Sequence, residues 1–469
     1  MYNDFLFLCS SMKNLVWNQM KSKAIFYISI LVFTNTITNQ IPFAQSEPAP
    51  PSINAIPLPV GSGARALGMG GAFIAVADDA TAASWNPGGL TQLERPELSV
   101  VGSFLSTQQD FFTDNPNVQF ADESAVSRGD LNYVSVAYPF RLFGKNLVAA
   151  LNYKQVYDFH VNLDYTVTTD YKDHPQHDVE KSDFESKGGV GALTPAISLQ
   201  VTPKLSLGMA VNVYTDEFFG NYAWKQITHG TRNGTIGGRD YSSTSIDERT
   251  FKNFQAVNVT TGLLWNVWEK ERKSLTFGAV YNTPYTANVD RIIDFQSFSS
   301  DASNLDKPFH DRRHFKVDYP MSFGAGFNFR CNDALSFSAD VTWTDWSEFK
   351  QKDNEGIKSR PIGEASVQRD ISDTYTVRYG TEYLLFRKSE VIPLRGGLFY
   401  EPRPSLNSPT DVFGFSVGSG ITFQRFSIDG AYQFRWSNDG EGEDFGKLLQ
   451  KPQFDLNEHL FLASIIVYF

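Results

Sequence analysis

Gly61–Leu90, GSGARALGMGGAFIAVADDATAASWNPGGL, is the stretch that decides the fold. It is too rich in glycine and alanine to form a core of its own, and it lacks the polar face of a free surface helix. The stretch therefore requires a surrounding structure. We predict that residues 95–469 supply it as a transmembrane β-barrel, closed around a hatch formed by residues 46–94.

Apolar and polar residues alternate through most of the chain after residue 97. In Leu335–Trp343, LSFSADVTW, the odd-numbered residues are apolar or aromatic and the even-numbered residues are polar. This period of two predicts strands with one apolar face. In a membrane barrel that face, which includes Phe337, Val341 and Phe426, contacts lipid, whereas in a soluble sandwich it faces the interior.

The links between the predicted strands favour the barrel. Short turns alternate with long links, with one exception at Arg403–Thr410, so the tight turns lie at one end and nearly all long loops at the other. We therefore predict an all-β fold, a 14-stranded antiparallel transmembrane β-barrel with an N-terminal hatch inside. The predicted strands are Glu97–Leu105, Leu131–Phe140, Leu147–Phe159, Gly189–Val201, Lys204–Thr215, Phe251–Val267, Lys273–Tyr285, His314–Arg330, Asp333–Trp346, Asp373–Phe386, Ile392–Pro402, Asp411–Phe423, Arg425–Trp436 and Leu456–Phe469.

Composition limits the partners. The net charge of −11 includes no basic cluster, which argues against nucleic acid. The 39 phenylalanines and 20 tyrosines are typical of a barrel with aromatic belts at the membrane boundary. We assign Trp343, Trp346 and Trp436 to such belts. Cys331 is alone once Cys9 is removed with the leader, so the mature chain has no internal disulfide.

The first 45 residues read as a secretory signal. Lys21 and Lys23 precede an apolar run, Ala24–Thr34, and cleavage is predicted near Phe43–Gln45. A second start at Met20 would give this signal its normal beginning. The alternative is an anchor helix, for which the apolar run is short.

Motifs for catalysis and cofactors are weak. Gly61–Ala66 satisfies the dinucleotide pattern G-x-G-x-x-G/A, but prolines precede it where that pattern needs a buried strand. His174 and His177 lack a third metal ligand. No serine motif with a paired histidine indicates a lipase or esterase. We predict no enzyme, no cofactor and no metal site.

The hatch supplies the candidate moving part. Asn86 and Pro87 fix a turn, and its glycines allow close passage along the wall. The alternative is a static plug. The predicted ligand and gating residues are Gly70, Gly71, Phe73, Trp85, Asn86, Pro87, Gly88 and Pro195.

Charged residues of both signs are predicted on the inner faces of neighbouring strands. They either bind a substrate carboxylate or form ion-pair ladders that hold the lumen together. The predicted lumen charges are Arg330, Asp340, Arg378, Glu382, Arg395, Glu401, Asp429 and Arg435.

With these residues in view, the chain resembles the outer-membrane channels for long-chain fatty acids and aromatic hydrocarbons (FadL/TodX type). Gly63–Leu90 is similar to the hatch of that family, including an N-P-A-like turn at residues 86–88. Glu94–Ser99 is similar to the entry into its first strand. Leu335–Phe349 resembles a family strand that ends in W-T-x-W-S-x-F.

The resemblance implies an outer-membrane protein in contact with lipid and lipopolysaccharide, which moves hydrophobic small molecules inward without ATP. Such molecules are captured among external loops, pass to a site beside the hatch and leave through a kink in the third strand. An alternative function is a structural barrel subunit of a secretion machine, with a partner bound to its loops.

This chain departs from the family at the predicted exit. Leu147–Phe159 contains no glycine or proline to mark a bulge, whereas the next strand carries Gly188, Gly191 and Pro195. We predict a lateral opening against Gly188–Pro195. Unbroken hydrogen bonding from residue 189 to residue 201 on both sides would rule it out.

Overall fold

The computed structural model describes residues 62–469 except 115, 121–123, 172–175, 218–221, 237–238, 301–306, 357, 360–370, 405–408 and 442–452. The predicted signal, the first part of the predicted hatch and His174 lie outside the described residues. None of the described helices is long and apolar enough to cross a bilayer.

A closed barrel of 14 antiparallel strands confirms the predicted fold class. Each strand pairs with the next, and the last pairs with the first from Glu97↔Tyr468 to Phe112↔Gln453. The strands are β1 Glu97–Phe112, β2 Ser124–Leu142, β3 Lys145–Asp158, β4 Gly189–Thr202, β5 Leu205–Thr215, β6 Arg239–Lys270, β7 Lys273–Asn282, β8 Ser322–Arg330, β9 Leu335–Thr344, β10 Thr374–Phe386, β11 Val391–Tyr400, β12 Phe413–Thr422, β13 Phe426–Glu441 and β14 Gln453–Tyr468.

Side chains alternate between the two faces of the barrel wall, with apolar residues outside and polar residues inside. Val341 and Phe426 are 46% and 38% exposed on the outer face, whereas Ser338 and Asp340 are 2% exposed inside. The apolar face therefore points outward, as a membrane barrel requires and a soluble sandwich excludes.

Short turns join the strands at one end of the barrel. Phe143 and Gly144, for example, both adopt positive φ (49° and 73°) in the turn between β2 and β3. Long links leave the other end and contain further strands, which the sequence analysis assigned to loops except that Phe309–Tyr319 overlaps the predicted strand His314–Arg330. These are Val118–Phe120, Val161–Tyr171, Gln176–Lys187, Trp224–Ile236, Tyr285–Ser299, Phe309–Tyr319, Lys350–Asp353 and Lys358–Ser359.

We call the sheet that these link strands form the outer sheet. The 32-residue strand β6 connects the barrel to it. Its first half pairs with Trp224–Ile236 and Tyr285–Ser299, and its second half pairs with β5 and β7. The strand predicted at His314–Arg330 is wrong as one element. It is two strands separated at Pro320 and Met321, because proline has no N–H to continue a ladder.

Four short helices complete the described structure: α1 Ala64–Gly68, α2 Ala82–Trp85, and two 3₁₀ helices, Pro87–Gln92 and Trp346–Glu348. The first three belong to Ser62–Leu93, which we call the amino-terminal segment. Its backbone is almost entirely buried against the inner faces of the barrel strands.

Candidate functional site

The amino-terminal segment is hydrogen-bonded to the wall on several sides. Ser416 of β12 accepts from the Gly70 amide at 2.8 Å and donates to the Gly68 carbonyl at 3.1 Å. Asp340 of β9 accepts from the Ile74 amide at 2.8 Å. Gly70 and Gly71 adopt φ of 66° and 75°, a conformation that favours glycine.

Asn86 joins two parts of the segment to the wall. Its amide nitrogen donates to the carbonyls of Ile74 at 2.8 Å and Leu263 of β6 at 2.9 Å. Its side-chain oxygen accepts from the Gly88 amide at 3.0 Å, so Asn86 caps the helix that Pro87 begins. Both the nitrogen and the oxygen of its side-chain amide therefore have partners, and the side chain is completely buried.

Wall glycines allow this close approach. A Cβ at Gly208 would lie 2.2 Å from the Pro87 carbonyl carbon, and one at Gly397 would lie 2.1 Å from the Gly70 nitrogen. Any larger residue at either position would push the segment away from the wall.

Phe73 and Trp85 stabilise the segment internally. Their rings meet edge to face at 6.0 Å, and the Trp85 indole donates to the Ser62 carbonyl at 2.9 Å. The Arg65 guanidinium lies 5.6 Å from the centre of the Phe73 ring. Both aromatic residues thus pack within the segment.

Arg65 links the segment to the first of two lumenal ion-pair networks. It pairs with Asp78 of the segment and with Glu382 of β10, whose oxygens accept two hydrogen bonds of 3.0 Å from Arg65. Glu382 also accepts from Arg395 at 2.8 Å, and Arg395 donates to Asp429 at 2.6 Å. Nearby, burial raises the pKa of Asp79, against the opposing effect of Arg65.

A second network joins three more of the predicted lumen charges. Arg378 donates to Glu401 at 3.2 Å, and Arg435 lies 3.7 Å from Glu401 and donates to Glu458 at 2.9 Å. Arg403 lies 3.6 Å from Glu458. These contacts fit the ion-pair alternative of the sequence analysis.

The structure does not bring every predicted charge into these networks. Asp340 holds the amino-terminal segment instead, and Arg330 is exposed at the end of β8. The sequence analysis missed Arg65, Arg403 and Glu458. Glu458 shares the inner face of β14 with Leu460 and Leu462, so the period-two pattern contained a signal for it.

A buried aromatic cluster lies at the long-loop end of the barrel. Four tyrosines form its centre: Tyr214 and Tyr319 each stack on Tyr285 with ring centres 4.8 Å apart, and Tyr157 lies 5.6 Å from Tyr319. The hydroxyls of Tyr157 and Tyr285 are hydrogen-bonded. The buried aromatic members are Tyr157, Phe159, Tyr214, Trp224, Phe251, Phe254, Phe315, Tyr319, Trp346 and Phe349.

Trp346 corrects the predicted aromatic belt. It is 6% exposed, packs edge to face on Phe349 and donates to Thr374 at 2.9 Å, so it belongs to this cluster. Trp346 lies in the 3₁₀ helix that follows β9, whereas Trp343 lies in β9 itself.

Uncharged polar side chains form a belt along the inner wall. Asn152 donates to the Thr194 carbonyl, and the Thr194 hydroxyl donates to Asn212. Asn212 donates to Asn258 and Thr260 at 2.7 and 3.0 Å. The belt continues from Thr260 to Asn282 and Ser322, so it crosses six strands from β3 to β8.

The backbone ladder is interrupted next to this belt. The last pair of β4 and β5 before the interruption is Leu193↔Val213, and the next is Ala196↔Ala210. Thr194 and Pro195 are therefore not paired with β5. The pairing with β3 is continuous at Pro195, but β3 contains a bulge between Gln155 and Tyr157. No glycine or proline marks this bulge in the sequence, since a bulge needs neither.

The condition that would rule out the predicted opening is therefore not met. A second interruption, at Ile392 and Pro393 of β11, lies near the short-turn end. The position of a lateral exit stays a prediction.

Comparison with known proteins gives a family for this arrangement. The family model described as outer membrane protein transport protein (OMPP1/FadL/TodX) matches residues 59–458. No curated protein matches the chain significantly.

Solved structures give the same fold. The chain is similar to a Pseudomonas aeruginosa FadL homologue, with a TM-score of 0.60, 14% identity and coverage of 88% of this chain and 100% of that one. It is similar to the P. putida toluene transporter TodX, with a TM-score of 0.54, 12% identity and coverage of 87% and 99%. For the Ralstonia pickettii toluene transporter TbuX the values are 0.52, 15%, 87% and 98%. At such identities the likeness concerns the fold alone.

Proposed function

The chain belongs to the OMPP1/FadL/TodX family of bacterial outer membrane transport proteins, and from that premise we propose that it admits hydrophobic small molecules across the outer membrane by passive passage. The buried aromatic cluster carries this proposal. It offers an apolar environment at the long-loop end, where a solute would leave water and lipopolysaccharide. The toluene named for TodX and TbuX is one chemical class that such a cluster suits.

We propose that the amino-terminal segment acts as the hatch, with Gly70, Gly71, Phe73, Trp85, Asn86, Pro87 and Gly88 as its gating residues. The segment packs in apolar clusters with wall residues and is also hydrogen-bonded to the wall, and these hydrogen bonds exchange for bonds with water at modest net cost. The first lumenal network holds the segment against the wall in the closed arrangement through Arg65 and Glu382.

The proposed exit runs sideways at Pro195. An unpaired backbone group that faces lipid costs several kcal/mol, so a barrel wall is normally sealed. Two features next to each other support this place: the interrupted ladder between β4 and β5 and the bulge in β3. A solute released there would enter the membrane without crossing the hatch.

Uptake by cells tests the proposed function. We expect a strain without this gene to take up labelled oleate or toluene more slowly than a strain that carries it. Tyr157→Leu, inside the aromatic cluster, should reduce uptake several-fold. Tyr138→Leu is the control, because Tyr138 is 59% exposed on the outer face.

Equal uptake by both strains would contradict the proposal. Equal uptake together with the loss of surface proteins from the strain without the gene would favour a structural subunit of a secretion machine.

A further inference from the structure

The short-turn end of the barrel carries an excess of basic side chains, although the chain as a whole has a net charge of −11. Eleven exposed lysines and arginines lie there against five aspartates and glutamates. No single stretch of sequence contains this excess, because only closure of the barrel brings the turns together at one end. We call this surface the basic rim. It consists of residues 94–96, 141–146, 202–205, 268–274, 330–335, 386–391 and 422–426.

The cations of the basic rim are spread around the whole circumference of the barrel. Each of the six short turns exposes at least one of them: Arg141, Lys204, Lys273, Arg330, Arg387 and Arg425. A protein docked to one side would meet only some of these turns. A ring of this shape matches the annulus of lipid that surrounds a membrane barrel.

Most of these charges are not neutralised within the chain. Among the residues that the structure describes, Arg272 is the one cation of the basic rim that pairs with a carboxylate, Asp333 at 3.4 Å, and both side chains are more than half exposed. Lys145 donates to the Val201 carbonyl at 2.8 Å, a contact that leaves its charge in place. The basic rim therefore has positive charge available for an anion from outside the chain.

Two lysines in the turn between β6 and β7 show where such an anion fits. Lys270 and Lys273 are directly opposite each other in register, and like charges in this arrangement repel. Lys270 follows Trp268 by two residues, so it shares the outer face on which Trp268 is 41% exposed. An anion that binds both lysines must therefore approach from the lipid side of the wall.

Exposed aromatic residues place the basic rim at the membrane boundary. Phe143 and Phe386, in or beside two other short turns, are 94% and 59% exposed. Aromatic side chains gather where a barrel leaves the apolar core of the bilayer, and the short turns of outer-membrane barrels face the periplasm. The cations thus lie at the level of the phospholipid headgroups of the periplasmic leaflet.

We propose that the basic rim binds anionic phospholipids of the periplasmic leaflet, and that Lys270 and Lys273 share one headgroup phosphate. A phosphate offers several acceptor oxygens, so it can accept from both ammonium groups and offset their repulsion. Lysines and arginines close to an anionic membrane surface are attracted to it. Bound headgroups around the ring fix the height of the barrel in the bilayer, whatever passes through its lumen.

Quenching of tryptophan fluorescence by brominated lipids tests the proposal. The purified protein is reconstituted in phosphatidylcholine vesicles with the same small fraction of brominated phosphatidylglycerol, which is anionic, or brominated phosphatidylcholine, which is neutral overall. Trp268 is the probe, and its signal is the part of the fluorescence that Trp268→Phe removes. We expect phosphatidylglycerol to be enriched over phosphatidylcholine at Trp268 by about fivefold, the ratio that a single basic side chain at a membrane surface predicts.

A double variant removes the lysine pair. Lys270→Gln with Lys273→Gln should lower the enrichment at Trp268 to less than about twofold, because the remaining cations of the basic rim lie in other turns or beside a carboxylate. Salt at 1 M should also weaken the enrichment in the unchanged protein, since the Debye length falls from about 10 Å at 0.1 M to about 3 Å.

The matched control is Lys316→Gln with Lys352→Gln. These two lysines are also exposed and directly opposite each other, but they lie in the outer sheet at the long-loop end. The control should keep the full enrichment. Both double variants should fold, because all four side chains are exposed.

Two outcomes would overturn the proposal. Equal quenching by the two lipids in the unchanged protein would show that the basic rim does not select anionic lipid, and would favour an acidic periplasmic protein as its partner. Full enrichment in the Lys270 and Lys273 double variant would show that the lysine pair does not bind the headgroup. Uptake of oleate and toluene tests the proposed function separately, so either proposal can fail without the other.

Discussion

Gly396 and Gly397 occupy successive positions of β11 and face opposite sides of the barrel wall. At Gly397 a Cβ would meet the Gly70 nitrogen at 2.1 Å, whereas at Gly396 its nearest neighbour would be Thr381 at 3.9 Å. The same substitution at the two positions therefore isolates the contact with the amino-terminal segment.

We expect Gly397→Ala to destabilise the closed arrangement by about 1–3 kcal/mol, the usual cost of overpacking. Proteases added to the purified protein should then cleave within residues 62–93, and the midpoint of thermal unfolding should fall. Gly396→Ala should leave both measurements unchanged. Equal behaviour of the two variants would show that the segment does not lie against β11.

Single residues also show why the site was only partly predictable. The turn at Asn86 and Pro87 was predicted because its chemistry is local. Arg65 was missed because its partner Glu382 lies 317 positions away, and only the register of the folded barrel brings them together.

Strand β4 shows how one proline changes an element. Proline cannot donate to a ladder, and the pairs between β4 and β5 are missing at Thr194 and Pro195, although the register is the same on both sides. On the lumenal side, the hydrogen bond from Thr194 to Asn212 bridges the gap through side chains.

We expect Pro195→Ala to supply the missing N–H and to complete the ladder. Hydrogen exchange at Val211 and Asn212 should slow, and uptake of oleate should fall several-fold if the exit runs here. Pro393→Ala is the control, because the interruption at Pro393 lies near the short turns. Slower exchange with unchanged uptake would place the exit elsewhere.

Elements with strong alternation were predicted well, and those without it were missed. The strand predicted at Asp333–Trp346 is observed as Leu335–Thr344. The first half of β6, RDYSSTSIDERT, carries polar residues on both faces, so period two gives no signal there. In the folded barrel this half of β6 pairs with Trp224–Ile236 and Tyr285–Ser299.

At the scale of the whole molecule, the outer face must match the thickness of the bilayer. Phe461 lies near the middle of β14 and is 47% exposed. Asn457 lies on the same face, four residues closer to the long-loop end. The two residues thus lie at different depths in the bilayer on the same strand.

We expect Phe461→Arg to destabilise the barrel in lipid by about 2–4 kcal/mol, as arginine does near the midplane. Asn457→Arg should cost about 0–1 kcal/mol, the value near an interface. Unfolding in lipid vesicles by guanidinium measures both. A larger cost at residue 457 would mean that the barrel sits at a different height.

The pairing of β14 with β1 has a consequence for biogenesis. Because β1 pairs with β14, the last strand, the chain must be almost completely synthesised before the barrel can close. Until then both edges stay open and need protection in the periplasm. We expect the amino-terminal segment to be enclosed when β14 pairs with β1, because its Arg65 and Asn86 contacts with the wall lie inside the closed barrel.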